Sequence, residues 1–142
     1  MDGYELERVP LYVNSNRTLK LFRGTSLEHD RKPVIVKRYD LSHFGPGEDI
    51  QREFHRVLKI GMTQTRVDHP SFCKILDMKV DFSNYPEELT VFHVLEALDM
   101  DLGREIEERK RTARPFSEAE LRSILVQASS ALAFAHSKVK CN

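Results

Sequence analysis

Few residues in this 142-residue chain combine a reactive side chain with a telling position. Lys37 closes the apolar run Val34-Ile35-Val36, and Glu53 falls inside the pattern Ile50, Phe54, Val57 and Leu58. Those four apolar residues recur at i, i+4, i+7 and i+8, which is one face of a helix. Glu53 lies three after Ile50 and four before Val57, so its carboxylate projects from the buried side. A charge placed there needs a partner, because burying it unpaired is costly. Lys37 taken alone reads as a strand-end lysine in solvent, the ordinary place for that side chain. The six histidines are scattered, and Cys73 and Cys141 stand far apart, outside any CxxC or Cys/His ligand spacing. Surface or packing roles are expected for them, with no metal site, and a reduced intracellular compartment follows. The basic run Arg109-Lys110-Arg111 reads as a solvated helix end favoured by the helix dipole.

The elements that must position these groups are legible in turn. Leu11-Tyr12-Val13 is a short strand stopped by the polar turn Asn14-Ser15-Asn16-Arg17, and Thr18 to Phe22 is a second strand closed by Arg23-Gly24. A polar stretch from Glu28 to Lys32 leads through Pro33 into Val34-Ile35-Val36-Lys37, a buried strand in which Pro33 fits only at the start. Such short connections favour an antiparallel meander. Gly45-Pro46-Gly47 breaks the chain, a helix runs from about Glu48, Gly61 ends it, and a polar loop leads to His69-Pro70. Phe72 to Val80 and Leu89 to Leu95 predict two more strands around a Ser83-Asn84-Tyr85-Pro86 turn, and Asp99 to Thr112 predicts a short exposed helix. Ser117 and Glu120 form a capping box, with Phe116 and Leu121 placed as a hydrophobic staple. The helix that follows is apolar at Leu121, Ile124, Leu125, Ala128, Leu132 and Ala135, widened by Ala131, Ala133 and Phe134, so it needs burial on more than one side.

Composition narrows the classes. The chain is 40% hydrophobic and 31% charged, which excludes wholesale disorder, and its 22 basic and 22 acidic residues cancel. Zero net charge, with no aromatic-interleaved basic stretch, excludes a nucleic-acid partner. The polar, acidic start MDGYELERVP is no signal peptide, and no apolar run is long enough to span a bilayer. A soluble, cytoplasmic protein without a membrane partner is expected.

The order of strands, terminal Lys, helix with an inward Glu, two strands and two helices resembles the amino-terminal lobe of eukaryotic protein kinases. Val34-Ile35-Val36-Lys37 is similar to the family's VAIK strand, whose Lys holds the ATP phosphates, and Glu53 matches the helix C Glu that pairs with it. His69-Pro70-Ser71-Phe72 resembles the HPNI-type lead into the fourth strand. Phe92 to Leu98 resembles the fifth strand and hinge, with Leu95 as gatekeeper and the backbone of Glu96 and Leu98 bonding adenine. The last helix, with Gln127, Ala131-Leu132 and Ala135-His136-Ser137, resembles helix E. The resemblance implies an α+β fold: a five-stranded antiparallel sheet with helix C in residues 1–98, then helices D and E of a partial carboxy-terminal lobe in 99–142. It implies ATP as cofactor, with Leu21, Ile35, Lys37, Leu95, Glu96 and Leu98 around it, and Ser/Thr phosphorylation as the family activity.

Three departures change what is expected of the function. The stretch in the place of the glycine-rich loop, Asn14 to Leu19, holds no glycine, and Ile35 stands where the family usually has Ala; both weaken the fit for ATP. Residues 61–66 are extra. After His136-Ser137-Lys138 the family continues into HRD and DFG, whereas this sequence reads Val139-Lys140-Cys141-Asn142. The catalytic Asp and the Mg²⁺ ligands are therefore lacking, and phosphoryl transfer rests on them. An inactive, partial kinase domain with weak or absent ATP binding is the leading expectation. The alternatives are a pseudokinase-type interaction module, whose partner protein covers the apolar surface of the last helix, and a fragment from an incomplete gene model, in which Val139-Lys140 reads through a splice donor.

Overall fold

A computed structural model of the chain describes residues 1–28, 30–42, 48–85 and 87–139. The expected Gly45-Pro46-Gly47 break, Pro86 of the expected turn, and Lys140-Cys141-Asn142 lie outside the described residues. The order of elements is β1 (Tyr4–Leu6), β2 (Tyr12–Val13), β3 (Leu19–Ser26), β4 (Pro33–Asp40), α1 (Glu48–Thr65), β5 (Ile75–Asp81), β6 (Thr90–Glu96), α2 (Leu102–Arg111) and α3 (Glu118–Val139). The fold is α+β. Contacts divide the chain into two units, one of Met1–Arg66 with Cys73–Ala97 and one of Val67–Phe72 with Leu98–Asn142.

The first unit is an antiparallel sheet in the order β1-β3-β4-β6-β5, with β2 also paired to β3. Six strands appear where five were expected, because the edge strand is broken in two. Glu7 and Leu11 still donate their N–H groups to the carbonyls of Arg23 (2.9 Å) and Leu21 (2.7 Å), so Arg8-Val9-Pro10 is looped out between them. Pro10 has no N–H to give to a ladder, which suits it to such an interruption. The strand expected to close at Arg23-Gly24 continues to Ser26. Gly24 is there for room: a Cβ would lie 2.7 Å from Leu6 Cδ2 and 2.8 Å from the Glu5 carbonyl.

Cross-strand pairing sorts the side chains by face. Val34, Val36 and Val94 form one buried cluster with Tyr4, Leu6 and Phe92. On the other face Leu41, Ile50, Val57, Leu89 and Val91 bury one another, with Tyr39, Phe54, Leu58 and Val80 packed around them. Helix α1 therefore covers this second face with the stripe read from its sequence. It does not stop at Gly61 but runs on to Thr65. Here too the glycine serves close approach: a Cβ at position 61 would collide with Met78 Sδ and lie 2.9 Å from His93 Nε2.

In the second unit, Asp101 caps α2 by accepting the Arg104 N–H at 2.9 Å, so the helix starts at Leu102, three residues later than expected. The capping box before α3 is formed: Ser117 N–H donates to Glu120 Oε2 (2.8 Å) and Glu120 N–H to Ser117 Oγ (3.2 Å). Arg109 joins the two helices. It bonds Glu105 at 2.6 Å and Glu120 at 2.7 Å, and its guanidinium lies 4.0 Å from the centre of the Phe116 ring. Those bonds and the Ser117 cap hold the Glu120 carboxyl down at about 2. Residues 67–72 were expected with the sheet but pack in this unit. His69 Nδ1 accepts the Ser71 N–H at 3.1 Å, which leaves the proton on Nε2, 3.2 Å from Ser130 Oγ. The His69 ring also stands 5.3 Å from that of Phe134. No described helix is long and apolar enough to cross a membrane.

Candidate functional site

The register decides which of the expected site residues share a surface. Leu21 pairs with Lys37, Lys37 with His93, and Ile35 with Leu95. Directly paired residues point to the same side of a sheet, so Leu21, Ile35, Lys37, His93 and Leu95 occupy one face. It is the face that carries Tyr39 and Val91, the one helix α1 covers. Leu95 is buried, while Leu21, Ile35 and Lys37 are half-buried. Glu96 pairs with Val34, so its side chain points to the opposite face. Leu98 lies beyond the sheet, belongs to the second unit, and is exposed.

Glu53 points inward as its spacing requires, with its side chain only 15% exposed. The expected Lys37–Glu53 ion pair is nonetheless not made. Glu53 Oε2 accepts Arg56 Nε at 2.7 Å, one turn on along the same helix. The Lys37 side chain has no ion pair or hydrogen bond among the described residues. Strand order gives the reason. The backbone of α1 runs closest to β5 and β6, whereas Lys37 stands on β4. Arg56, by contrast, is within reach of the carboxylate at i+3.

Beside Lys37, His93 is 1% exposed and its Nε2 has no hydrogen-bond partner among the described residues. Burial, with the nearby Lys37 charge, pushes its pKa down to about 4, so the ring is neutral near pH 7. The Tyr39 ring stands 4.9 Å from it, and burial raises the Tyr39 hydroxyl against an opposing pull from Arg56. Sequence reasoning set this histidine among the scattered ones, but strand period carried a signal. Position 93 shares its parity with Val91 and Leu95 and so must face the helix.

At Glu96, where the kinase resemblance implies a hinge, the backbone groups are partly in use. Its N–H donates to the Lys74 carbonyl at 3.1 Å, and the Cys73 thiol lies 3.7 Å from its carbonyl oxygen. Burial and the Glu96 charge raise the Cys73 thiol, with Lys37 opposing them, so it stays protonated as a donor. The turn in the glycine-rich-loop position is tied to itself. Asn14 Oδ1 accepts the Leu19 N–H at 2.9 Å and Asn14 Nδ2 donates to Thr18 Oγ1 at 3.0 Å. The Arg17 N–H goes to the Asn14 carbonyl at 3.0 Å, and Arg17 holds a left-handed φ of 59°. Two N–H groups, those of Arg17 and Leu19, are thus spent within the turn. Leu21, Ile35 and Leu95 thus set three apolar side chains beside the one lysine on this face. Among the described residues no group of three or more His, Cys, Asp or Glu could hold a metal ion.

Fold and site together define an α+β protein in which one helix covers a curled antiparallel sheet and a lysine stands beside an apolar face. No protein-family model matches the sequence, and no curated protein matches it significantly.

Proposed function

We propose that the first unit is a protein-kinase-type nucleotide-binding lobe that holds adenine nucleotides weakly and transfers no phosphate. The observation that supports this reading most is the shared face of Leu21, Ile35, Lys37 and Leu95, with Glu53 inward on the covering helix. The family activity would be phosphorylation of protein Ser/Thr. These 142 residues contain neither HRD nor DFG, the motifs with which the family orients a hydroxyl and holds Mg²⁺. In this reading Lys37 meets a phosphate, Leu21 and Ile35 bracket the ring, and the Glu96 carbonyl bonds its edge. The self-bonded turn at Asn14 makes the affinity low, with a Kd on the order of 1 mM, about −4 kcal/mol. Titrating the 142-residue protein with ATP and Mg²⁺ tests it. Saturable binding lost in Lys37→Met, without phosphate transfer, is expected. No binding at several millimolar overturns the nucleotide reading, and transfer that Lys37→Met abolishes overturns the inactive one.

A second reading, a non-catalytic interaction module, is favoured by the second unit. An apolar cavity of about 660 Å³ opens between α2 and α3, lined by Leu102, Ile106, Phe116, Leu121, Ile124 and Leu125. Leu125, Val126 and Leu132 on α3 are more than half exposed, and exposed apolar patches of this kind mark partner surfaces. A protein partner on that surface would be independent of nucleotide.

A further inference from the structure

Helix α3 carries two different faces. Ser130 and Phe134 turn to the segment around His69, and Ala131 beside them is buried. On the other face Leu121, Leu125, Ala128, Leu132 and Ala135 follow one another at alternating steps of four and three. That spacing is a narrow stripe along one side of a helix, and it is the seam by which helices pair. Leu121, Leu125, Ala128 and Leu132 are exposed, so the described residues of the unit leave most of the stripe uncovered. Leu121 and Leu125 also line the cavity beside α2, which makes seam and cavity one continuous apolar surface. Charge is segregated along the same helix. The first turn holds Glu118 and Glu120, the last holds His136 and Lys138, and Arg122 is the one charged residue in between.

We propose that this stripe docks a second copy of the chain, α3 against α3, antiparallel about a two-fold axis at Ala128. The inference rests on the interaction-module reading and names its partner. A surface that pairs with itself must complement its own reversed image. Equal steps on either side of Ala128 set Leu121 level with the other copy's Ala135 and Leu125 near its Leu132, so apolar meets apolar along the stripe. The small side chain at the axis lets the two helices approach closely. At the ends, Glu118 comes level with the other copy's Lys138 and Glu120 with its His136. A parallel pair would set Glu118 against Glu118 and Lys138 against Lys138, and would align the two helix dipoles. Charge therefore selects the antiparallel arrangement. Glu118 can change partner at little cost, because its bond to Arg122 at 3.0 Å joins two largely exposed side chains. Two alanines thin the seam, so the dimer is weak, with a Kd on the order of 100 µM, and at low micromolar concentration the face is open.

The test is sedimentation equilibrium of the full chain at low salt, from about 5 to 500 µM, a range that brackets the expected Kd. Wild type is compared with Leu132→Glu, Glu118→Lys, Lys138→Glu and the double reversal Glu118→Lys/Lys138→Glu, and circular dichroism checks that each is folded. Wild type should pass from monomer to dimer, and Leu132→Glu should stay monomeric. Each single reversal should weaken the dimer about three- to ten-fold, and the double reversal should regain most of that loss. A dimer that Leu132→Glu leaves intact lies on another surface and overturns the proposal. Single reversals without effect, or a double reversal no better than either, overturn the antiparallel pairing. A wild type that stays monomeric throughout overturns the second copy. If its α3 face then binds an apolar dye, and Leu132→Glu abolishes that binding, the interaction-module reading still stands; without such binding both fall.

Discussion

Helices α1 and α3 have similar lengths, 18 and 22 residues, and opposite fates. Helix α1 is polar except for one stripe, and that stripe is buried: Val57 is fully covered and Ile50 nearly so. Helix α3 is apolar on several sides, yet Ala131 is its one buried residue among those described, while Leu121, Leu125, Val126 and Leu132 stand exposed. Total apolar content therefore does not decide how deeply a helix packs. What decides it is whether the apolar residues share one face and whether a complementary surface exists within the same unit. The sheet offers α1 such a surface, shaped by Gly61 and the groove between Met78 and His93. In its own unit α3 meets α2, which has no buried residue, and the short segment around His69.

The largest expected effect follows from the tight side of this comparison. Gly61→Val places a branched side chain where even a Cβ meets Met78 Sδ and the buried His93 ring, and should cost about 3 kcal/mol. A drop in urea midpoint with unchanged slope would show it; no drop would mean that α1 stands off the sheet, and the contrast with α3 would disappear. The next is a pH effect at the same junction. The His93 pKa is lowered when folded, so its stabilising share is complete above the unfolded value of about 6.5 and is lost as pH falls toward 4. The loss across that window should reach up to about 3 kcal/mol, and His93→Leu should flatten the dependence. A wild-type profile already flat between pH 6.5 and 4 would show the ring to be solvated. The smallest effect belongs to α3. Leu125→Ser, at a position 67% exposed, should change stability by less than about 0.5 kcal/mol while lowering dye binding to apolar surface. A cost above about 2 kcal/mol would reveal that α3 is covered in solution, and the two helices would then be alike.

How much of this was readable beforehand depended on range. The strand Val34 to Lys37, the stripe of α1 and the Ser117–Glu120 cap rest on residues a few positions apart, and period or capping chemistry reports them directly. The position of Glu53 was readable for the same reason, but its partner was not. Period puts a carboxylate on a face, whereas the choice between Arg56 and Lys37 depends on where the helix crosses the sheet. Gly61 was misread as a helix end because its reason lies in Met78 and His93, 17 and 32 positions away. The loop at 67–72 reads as part of the first 98 residues, because no local sign tells that His69 meets Ser130 and Phe134. At the site, Leu21, Ile35, Lys37 and Leu95 were chosen by likeness to a kinase lobe, and pairing register then put them on one face.

The looped-out Arg8-Val9-Pro10 bears on how the protein behaves at high concentration. A free sheet edge invites a strand from another molecule, and long unbroken edges propagate such pairing into aggregates. Here the edge beside β3 is only a three-residue and a two-residue piece, separated by a proline that offers no N–H. The opposite edge, β5, carries Asp77, Lys79 and Asp81 at alternate positions. An incoming strand would meet a bulge on one side and a row of charges on the other, so self-association of the sheet is discouraged at both ends.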